Sequence, residues 1–119
     1  MTPDAATRAL IRRAYEVFNA RDMDGALALM TPEVEWPNGM EGGCVQGHAG
    51  VRHYWTRQWG MINPHVEPLD MTLEDDGRVA VAIQQTIRDL SGGLLNERSV
   101  IHVYRLRDGL VDHMEIREA

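Results

Sequence analysis

The chain has 119 residues, of which 44% are hydrophobic and 25% charged, and this is the size and composition of one globular domain spanning residues 1–119. Its net charge of -6 and its scattered basic residues exclude the clustered basic footprint of a nucleic-acid-binding surface. All twelve basic residues are arginine, which excludes Schiff-base chemistry on a lysine, and the single cysteine, Cys44, excludes an intrachain disulfide and a thiolate metal cage.

Two further absences bear on location. No charged-then-apolar leader opens the chain, and no apolar run approaches the ~20 residues that a membrane-spanning helix needs. We therefore expect a cytoplasmic protein with no membrane partner.

Three helices are predicted in the first half of the chain. Apolar residues recur at three- and four-residue spacing from about residue 4 to 20, which is typical of an amphipathic helix. Asp22 is a plausible cap for a second, short helix whose buried stripe includes Leu27 and Met30 and which Pro32 ends. A third helix is predicted from about 48 to 59, with Tyr54, Trp55 and Trp59 on one side.

The remaining segments are predicted to be strands. A short strand covers 34–36, and 67–74, 78–89, 95–107 and 110–117 follow as an antiparallel series joined by turns. Asp76-Gly77 and Asp108-Gly109 have the composition of tight hairpin turns. Helices first and an antiparallel series afterwards indicate an α+β fold with the helices packed on one face of a curved sheet.

The last hairpin brings chemistry-bearing residues together. A two-residue turn at Asp108-Gly109 pairs 107 with 110, so His102 would face Glu115 and Tyr104 would face His113 on one side of the sheet. A three-residue turn would break this arrangement. A two-residue turn within 91–93 would add Gln85, Ile83 and Val81 to the same face, whereas the other parity would bring Gln84 and Thr86.

Four strings of the sequence resemble the nuclear transport factor 2-like superfamily, in its ketosteroid isomerase and SnoaL-like polyketide cyclase branch. They are YEVFNARDMDGALALM (15–30), VEW (34–36), QGHAGVRHYW (46–55) and HVYRLRDGLVDHMEI (102–116). The resemblance implies a cone-shaped, mixed or antiparallel sheet wrapped by three N-terminal helices, as in cystatin-like folds, with a pocket in the mouth of the cone. It also implies a homodimer through the outer sheet face, where the apolar row Ile101 and Val103 needs a cover.

The resemblance restricts the chemistry. Positions matching the tyrosine and two aspartates of the ketosteroid isomerases hold Ala14, Trp36 and His102, and Tyr15 lies one position off the expected face. The Asp-Arg-Asp trio of limonene epoxide hydrolase is also missing, since Gln85 and Glu115 occupy its two aspartate positions. The polyketide cyclase pattern, an acidic residue on the last strand and a histidine on the strand before it, matches at Glu115 and His102.

We therefore predict a cofactor-independent acid-base enzyme, of the cyclase, isomerase or dehydratase type, for a small hydrophobic carbonyl compound. Glu115 would be the general base, and His102 or His113 would donate to the developing enolate. Met114, by its parity, is expected on the outer face. The predicted binding residues of the pocket are Trp36, Tyr104, Gln85, Trp55, Trp59, Met30, Ile83 and Val100.

Three alternatives stay open at this point. The patch could face water as an ordinary cross-strand ion pair. His102, His113 and Glu115 could form a 2-His-1-carboxylate metal site, although no metal is expected. The chain could also be a non-catalytic binding or dimerisation module for a hydrophobic metabolite.

Overall fold

A computed structural model describes residues 1–119. Helix α1 (Ala5–Asn19) begins at Asp4, whose carboxylate accepts a hydrogen bond from the Thr7 N–H at 2.8 Å. Helix α2 (Met23–Leu27) begins at Asp22, which caps Gly25 in the same way, and α3 spans Gly47–Trp59. The three helices lie close to their predicted positions.

Six strands form one sheet in the order β2-β1-β6-β5-β4-β3. The strands are β1 (Met30–Pro37), β2 (Cys44–Gln46), β3 (Asn63–Leu73), β4 (Val79–Arg88), β5 (Leu94–Arg107) and β6 (Leu110–Glu118). All neighbours are antiparallel except β1 and β6, which run parallel. The predicted α+β class, with helices packed on a curved mixed sheet, is confirmed.

The strand boundaries differ from the prediction in three places. Met30 opens β1 instead of closing α2, and the three-residue β2 was not predicted because its side chains show no apolar alternation. Strand β3 begins at Asn63 and contains Pro64 and Pro68. Proline is tolerated there because β3 is an edge strand, where a missing N–H need not break a ladder.

The parity of β4 against β5 is the predicted one, with Gln85 on the same face as His102. Val81 pairs with His102, and Gln85 pairs with Arg98, so the odd residues of β4 share a face with the even residues of β5. The connection itself is longer than a two-residue turn, because Arg88 pairs with Leu94 after an irregularity at Ile87.

The core lies between the concave face of the sheet and the helices. Fully buried side chains from α1, α3 and four strands meet there, among them Ile11, Val51, Val34, Val81 and Val111. None of the helices combines the length and apolarity that crossing a bilayer requires.

Candidate functional site: a cavity lined by a histidine and three tyrosines

A cavity of about 410 Å³ lies between the helices and the concave face of the sheet. Its wall is mostly apolar and includes Trp36 from β1 and Trp55 from α3, whose rings meet edge to face at 5.4 Å between centroids. A mostly apolar concavity of this volume with few polar groups has the character of a small-molecule site.

Two tyrosine hydroxyls and one imidazole meet in the cavity wall. The Tyr15 hydroxyl lies 2.8 Å from Nδ1 of His102, and the Tyr104 hydroxyl donates a hydrogen bond of 2.6 Å to the Tyr15 oxygen. All three side chains are at least 93% buried. The Tyr15 and His102 rings are also nearly parallel, with centroids 5.9 Å apart, so both stacking and hydrogen bonding fix the imidazole.

Burial sets the charge state of this cluster. Desolvation lowers the pKa of His102 from its usual 6.5 to about 4, because a buried imidazolium has lost its hydration. Desolvation also raises the pKa of Tyr15 and that of Tyr104 above the usual value. At neutral pH the cluster is therefore uncharged, with one neutral imidazole and two phenols.

The hydrogen-bond directions define which nitrogen of His102 carries the proton. Because Tyr104 donates to Tyr15, the hydrogen of Tyr15 is directed to Nδ1, and the ring proton is then on Nε2. Nε2 has no hydrogen-bond partner in the chain, and it is not among the atoms that are both buried and unpartnered. It therefore meets the open space of the cavity, where a ligand oxygen can reach it.

A second polar group lies in another part of the wall. The backbone N–H of Gly39 and the amide of Gln58 both donate to the Tyr54 hydroxyl, at 3.0 and 3.2 Å. The amide oxygen of Gln58 is buried without any partner. Because this oxygen is fully buried, a ligand in the cavity does not reach it, in contrast to Nε2 of His102 on β5.

The predicted pairing of His102 with Glu115 is wrong. The turn at Asp108-Gly109 has two residues, as expected, and both adopt positive φ (53° and 76°), as a type I′ turn requires. Arg107 pairs with Leu110 and Leu106 with Val111, but Arg105 then pairs with His113. One residue of β6, Asp112, is a β-bulge that shifts every later pair by one position.

The bulge is held by hydrogen bonds and ion pairs to Asp112. Its carboxylate accepts from the Thr31 hydroxyl at 2.8 Å and lies 3.2 Å from Arg105 and 3.3 Å from Arg107. These contacts lower the pKa of Asp112, with the Thr31 hydrogen bond as the main cause. Since the partners come from β1 and β5, no analysis of the turn alone could anticipate the shift.

Glu115 consequently points away from the cavity. It pairs with Val103 on the outer face, its side chain is 44% exposed, and it binds Arg78 at 2.6 Å. His113 pairs with the exposed Arg105 and also lies on that outer side. The metal alternative fails with them, because His102 lies on the concave face, and no three His, Cys, Asp or Glu side chains form a group that could hold a metal ion.

The predicted binding residues divide into two sets. Trp36, Tyr104, Gln85, Trp55 and Met30 line the cavity. Ile83 and Val100, opposite each other on β4 and β5, are buried outside its lining, and Trp59 lies behind the wall, stacked on Trp55 at 5.5 Å. Met114, expected on the outer face, lines the cavity instead, because the bulge reverses its parity.

Tyr15 is the site residue that sequence reasoning missed. From the sequence, Tyr15 is expected one position off the matching face of the helix, where Ala14 stands. Ile11, Tyr15 and Phe18 also recur at four- and three-residue spacing, and Ile11 and Tyr15 are both buried. The spacing of Tyr15 from Ile11 and Phe18 within the predicted helix was the available signal.

A second, more open hollow of about 660 Å³ lies near the start of α1 and the β3–β4 turn. Its charged side chains already have partners within the chain, since Arg78 binds Asp76 and Glu115, and Arg105 binds Asp112. The hollow therefore offers a ligand no unpaired arginine. The cavity differs, because Nε2 of His102 has no partner there.

Known proteins share this architecture. A family model for the SnoaL-like domain matches residues 11–114. The chain is similar to the crystal structure of TerC co-crystallised with polyporic acid, with 28% identity, 97% of this chain and 92% of that chain covered, and a TM-score of 0.83. No curated protein matches the chain.

Two further solved structures share the fold. An NTF2-like protein of unknown function from Burkholderia pseudomallei K96243 is 25% identical, with 98% of this chain and 92% of that chain covered and a TM-score of 0.82. RV0760c from Mycobacterium tuberculosis, in complex with estradiol-17beta-hemisuccinate, is 18% identical, with 95% and 93% covered and a TM-score of 0.80. The latter likeness concerns the fold alone.

Proposed function

The chain belongs to the SnoaL-like domain family, and from this premise we propose that it binds a small, largely apolar carbonyl compound in its cavity and catalyses proton transfer on it without a cofactor. The observation that carries the proposal is Nε2 of a neutral, buried His102 that opens on an apolar cavity. The co-crystallisation of TerC with polyporic acid supports a small organic ligand for this cavity.

His102 would polarise the carbonyl group of the ligand in one tautomer and remove a proton from the neighbouring carbon in the other. With the proton on Nε2, the ring donates a hydrogen bond to the carbonyl oxygen of the ligand. In the other tautomer Nδ1 donates to Tyr15, Tyr15 donates to Tyr104, and the Nε2 lone pair accepts a proton from the carbon beside the carbonyl. The imidazolium then returns that proton to another atom of the ligand, which completes an isomerisation or prepares a ring closure or a dehydration.

The low pKa of His102 limits the reaction. An imidazole with a pKa of about 4 is a weak base, so it suits ligands whose C–H or O–H groups are already acidic, such as β-dicarbonyl compounds. This restriction replaces the carboxylate mechanism predicted from the sequence, because Glu115 is not in the cavity wall.

Benzoylacetone provides a test, because its keto–enol conversion is followed by ultraviolet absorbance. The wild-type protein should accelerate the conversion over buffer, and His102→Gln, which keeps a polar atom near the Nε2 position but cannot accept a proton, should bind benzoylacetone and lose the acceleration. Glu115→Gln is the matched control and should behave as wild type. Full activity in His102→Gln, or its loss in Glu115→Gln, would overturn the mechanism.

The alternative function, non-catalytic binding, is favoured by one observation, namely that no carboxylate lines the cavity. In that case Nε2 of His102 would only orient a ligand. Binding of β-dicarbonyl ligands with no acceleration of their tautomerisation, in the wild type and in both variants, would favour this second function.

We also propose a homodimer through the outer sheet face. Ile101 lies on this face and is partly exposed, which supports the proposal, whereas Val103 beside it is already fully buried within one chain. Light scattering of the wild type and of Ile101→Glu should give the mass of two chains and of one, and a wild-type mass of one chain would contradict the dimer.

A further inference from the structure

We propose that Arg98 binds an acidic group of the cavity ligand, so that the ligand is an organic carboxylate whose other polar end reaches His102. This inference rests on the proposed function of the cavity and specifies its ligand class.

Arg98 is the only charged residue in the cavity lining at neutral pH. The rest of that lining is apolar or neutral and polar, including Gln85, opposite Arg98 on β4, and Asn96, two residues before it on β5. No acidic side chain lines the cavity to neutralise the guanidinium. In a chain with a net charge of -6, an unneutralised positive group at the ligand site selects for anions.

Most other arginines of the chain have a partner, unlike Arg98. Seven of the twelve form ion pairs with acidic side chains: Arg13, Arg52, Arg57, Arg78, Arg105, Arg107 and Arg117. Arg21 and Arg88 donate to backbone carbonyls. Only Arg8, Arg12 and Arg98 have neither kind of partner, and of these only Arg98 lines the cavity.

The nearest acid in register does not supply a partner. Val100 pairs with Glu118 on β6, which places Glu118 diagonally across from Arg98 at the end of the strand. No ion pair joins the two side chains, and Glu118 does not line the cavity. The guanidinium, with its planar set of donors suited to a carboxylate, therefore remains available to a ligand.

The spacing along β5 limits the ligand's length. Arg98 and His102 are four residues apart on the same face, so their Cα atoms are about 13 Å apart. A ligand that reaches both side chains must be longer than one aromatic ring, and the volume of about 410 Å³ holds such a molecule. Two linked rings with a carboxylate at one end and a carbonyl or hydroxyl at the other satisfy the geometry.

A hydroxyl-bearing biphenyl carboxylate and its methyl ester form a matched pair of probes for calorimetry. The wild type should bind the carboxylate about tenfold more tightly than the ester. Arg98→Gln should abolish this preference, because it lowers the affinity for the carboxylate and leaves the affinity for the ester unchanged. Added salt should reduce the preference as well, since Arg98 is exposed and its ion pair with the ligand carboxylate is therefore screened. Arg12→Gln removes an equally unpaired arginine outside the cavity and should keep the preference.

Several results would overturn the inference. These are equal affinity of the wild type for both probes, tighter binding of the ester, or a carboxylate preference that survives Arg98→Gln. Failure of the proposed proton transfer gives a different pattern, because loss of tautomerisation in the benzoylacetone assay leaves the preference for the charged probe, and its dependence on Arg98, unaltered.

Discussion

The Tyr15 hydroxyl lies 2.8 Å from Nδ1 of His102, although 87 residues separate the two in the sequence. This hydrogen bond joins α1 to the concave face of the sheet and sets the orientation of the imidazole. Tyr15→Phe removes it and leaves Nδ1 buried without a partner, so we expect a loss of about 1–3 kcal/mol of unfolding free energy in urea titrations. The benzoylacetone rate should fall at least tenfold, because Nε2 is no longer held towards the ligand.

Tyr104→Phe is the matched control for that experiment. It removes the second hydrogen bond, from Tyr104 to Tyr15, but keeps the contact between Tyr15 and His102. It should cost stability while retaining most of the rate. Equal rates in wild type and Tyr15→Phe would show that the imidazole does not need this partner.

Stability should depend on pH through His102. Its pKa is lowered from 6.5 to about 4 by burial, so between these values the unfolded chain binds a proton that the folded chain does not. The unfolding free energy should therefore decrease as the pH falls from 6.5 to 4, by roughly 3 kcal/mol from this one group. The difference between wild type and His102→Gln isolates this contribution, and curves that stay parallel across the window would contradict it.

Glu115→Gln should be nearly silent. The carboxylate is half exposed on the outer face, and its partner Arg78 also binds Asp76 and Glu74. Exposed pairs of this kind contribute little to stability, so the urea midpoint should not move measurably. A large loss of ligand affinity in this variant would restore the role that the sequence first indicated for Glu115.

Gln58→Met should separate stability from binding. The buried, unpartnered amide oxygen of Gln58 destabilises the empty protein, so replacing the side chain with an apolar one of similar length should be neutral or stabilising by about 1 kcal/mol. The same change should leave the affinity for hydroxylated and unhydroxylated biphenyls unaltered in calorimetry, because the buried oxygen does not reach a ligand in the cavity. A loss of affinity for the hydroxylated biphenyl alone would contradict this expectation and make the amide a ligand contact.

The bulge can be tested through the coupling between the buried Thr31 and the bulged, partly buried Asp112. Thr31 and Asp112 are joined by a 2.8 Å hydrogen bond between β1 and β6. A double-mutant cycle with Thr31→Val and Asp112→Ala should give a coupling free energy of about 1 kcal/mol in urea unfolding. Additive effects would show that this hydrogen bond does not stabilise the bulge.

The sequence was sufficient for the elements whose signals are local. The periodic apolar residues of α1, the cap at Asp22 and the Asp108-Gly109 turn all have their causes within a few residues, and each lies close to where it was predicted. The parity of β4 against β5, and with it the position of Gln85 in the cavity, was predictable because the odd positions of β4 are the more apolar set.

What failed depended on distant partners. Asp112 is bulged because its carboxylate is held from another strand by Thr31, a residue 81 positions earlier, and this single shift removed Glu115 and His113 from the site. Tyr15 was overlooked because its importance comes from His102 and Tyr104, both on β5. Strand β2 pairs only with β1 and has no hydrophobic pattern of its own.

The extra residue at position 112 determines which side chains of β6 line the cavity. With it, Met114 and Ile116 line the interior while Glu115 stays outside. A chain that lacked Asp112 would exchange the two sets and bring His113 and Glu115 to the cavity side, with every other side chain kept. Ligand preference on this scaffold can therefore be switched by a change in strand length as effectively as by a substitution.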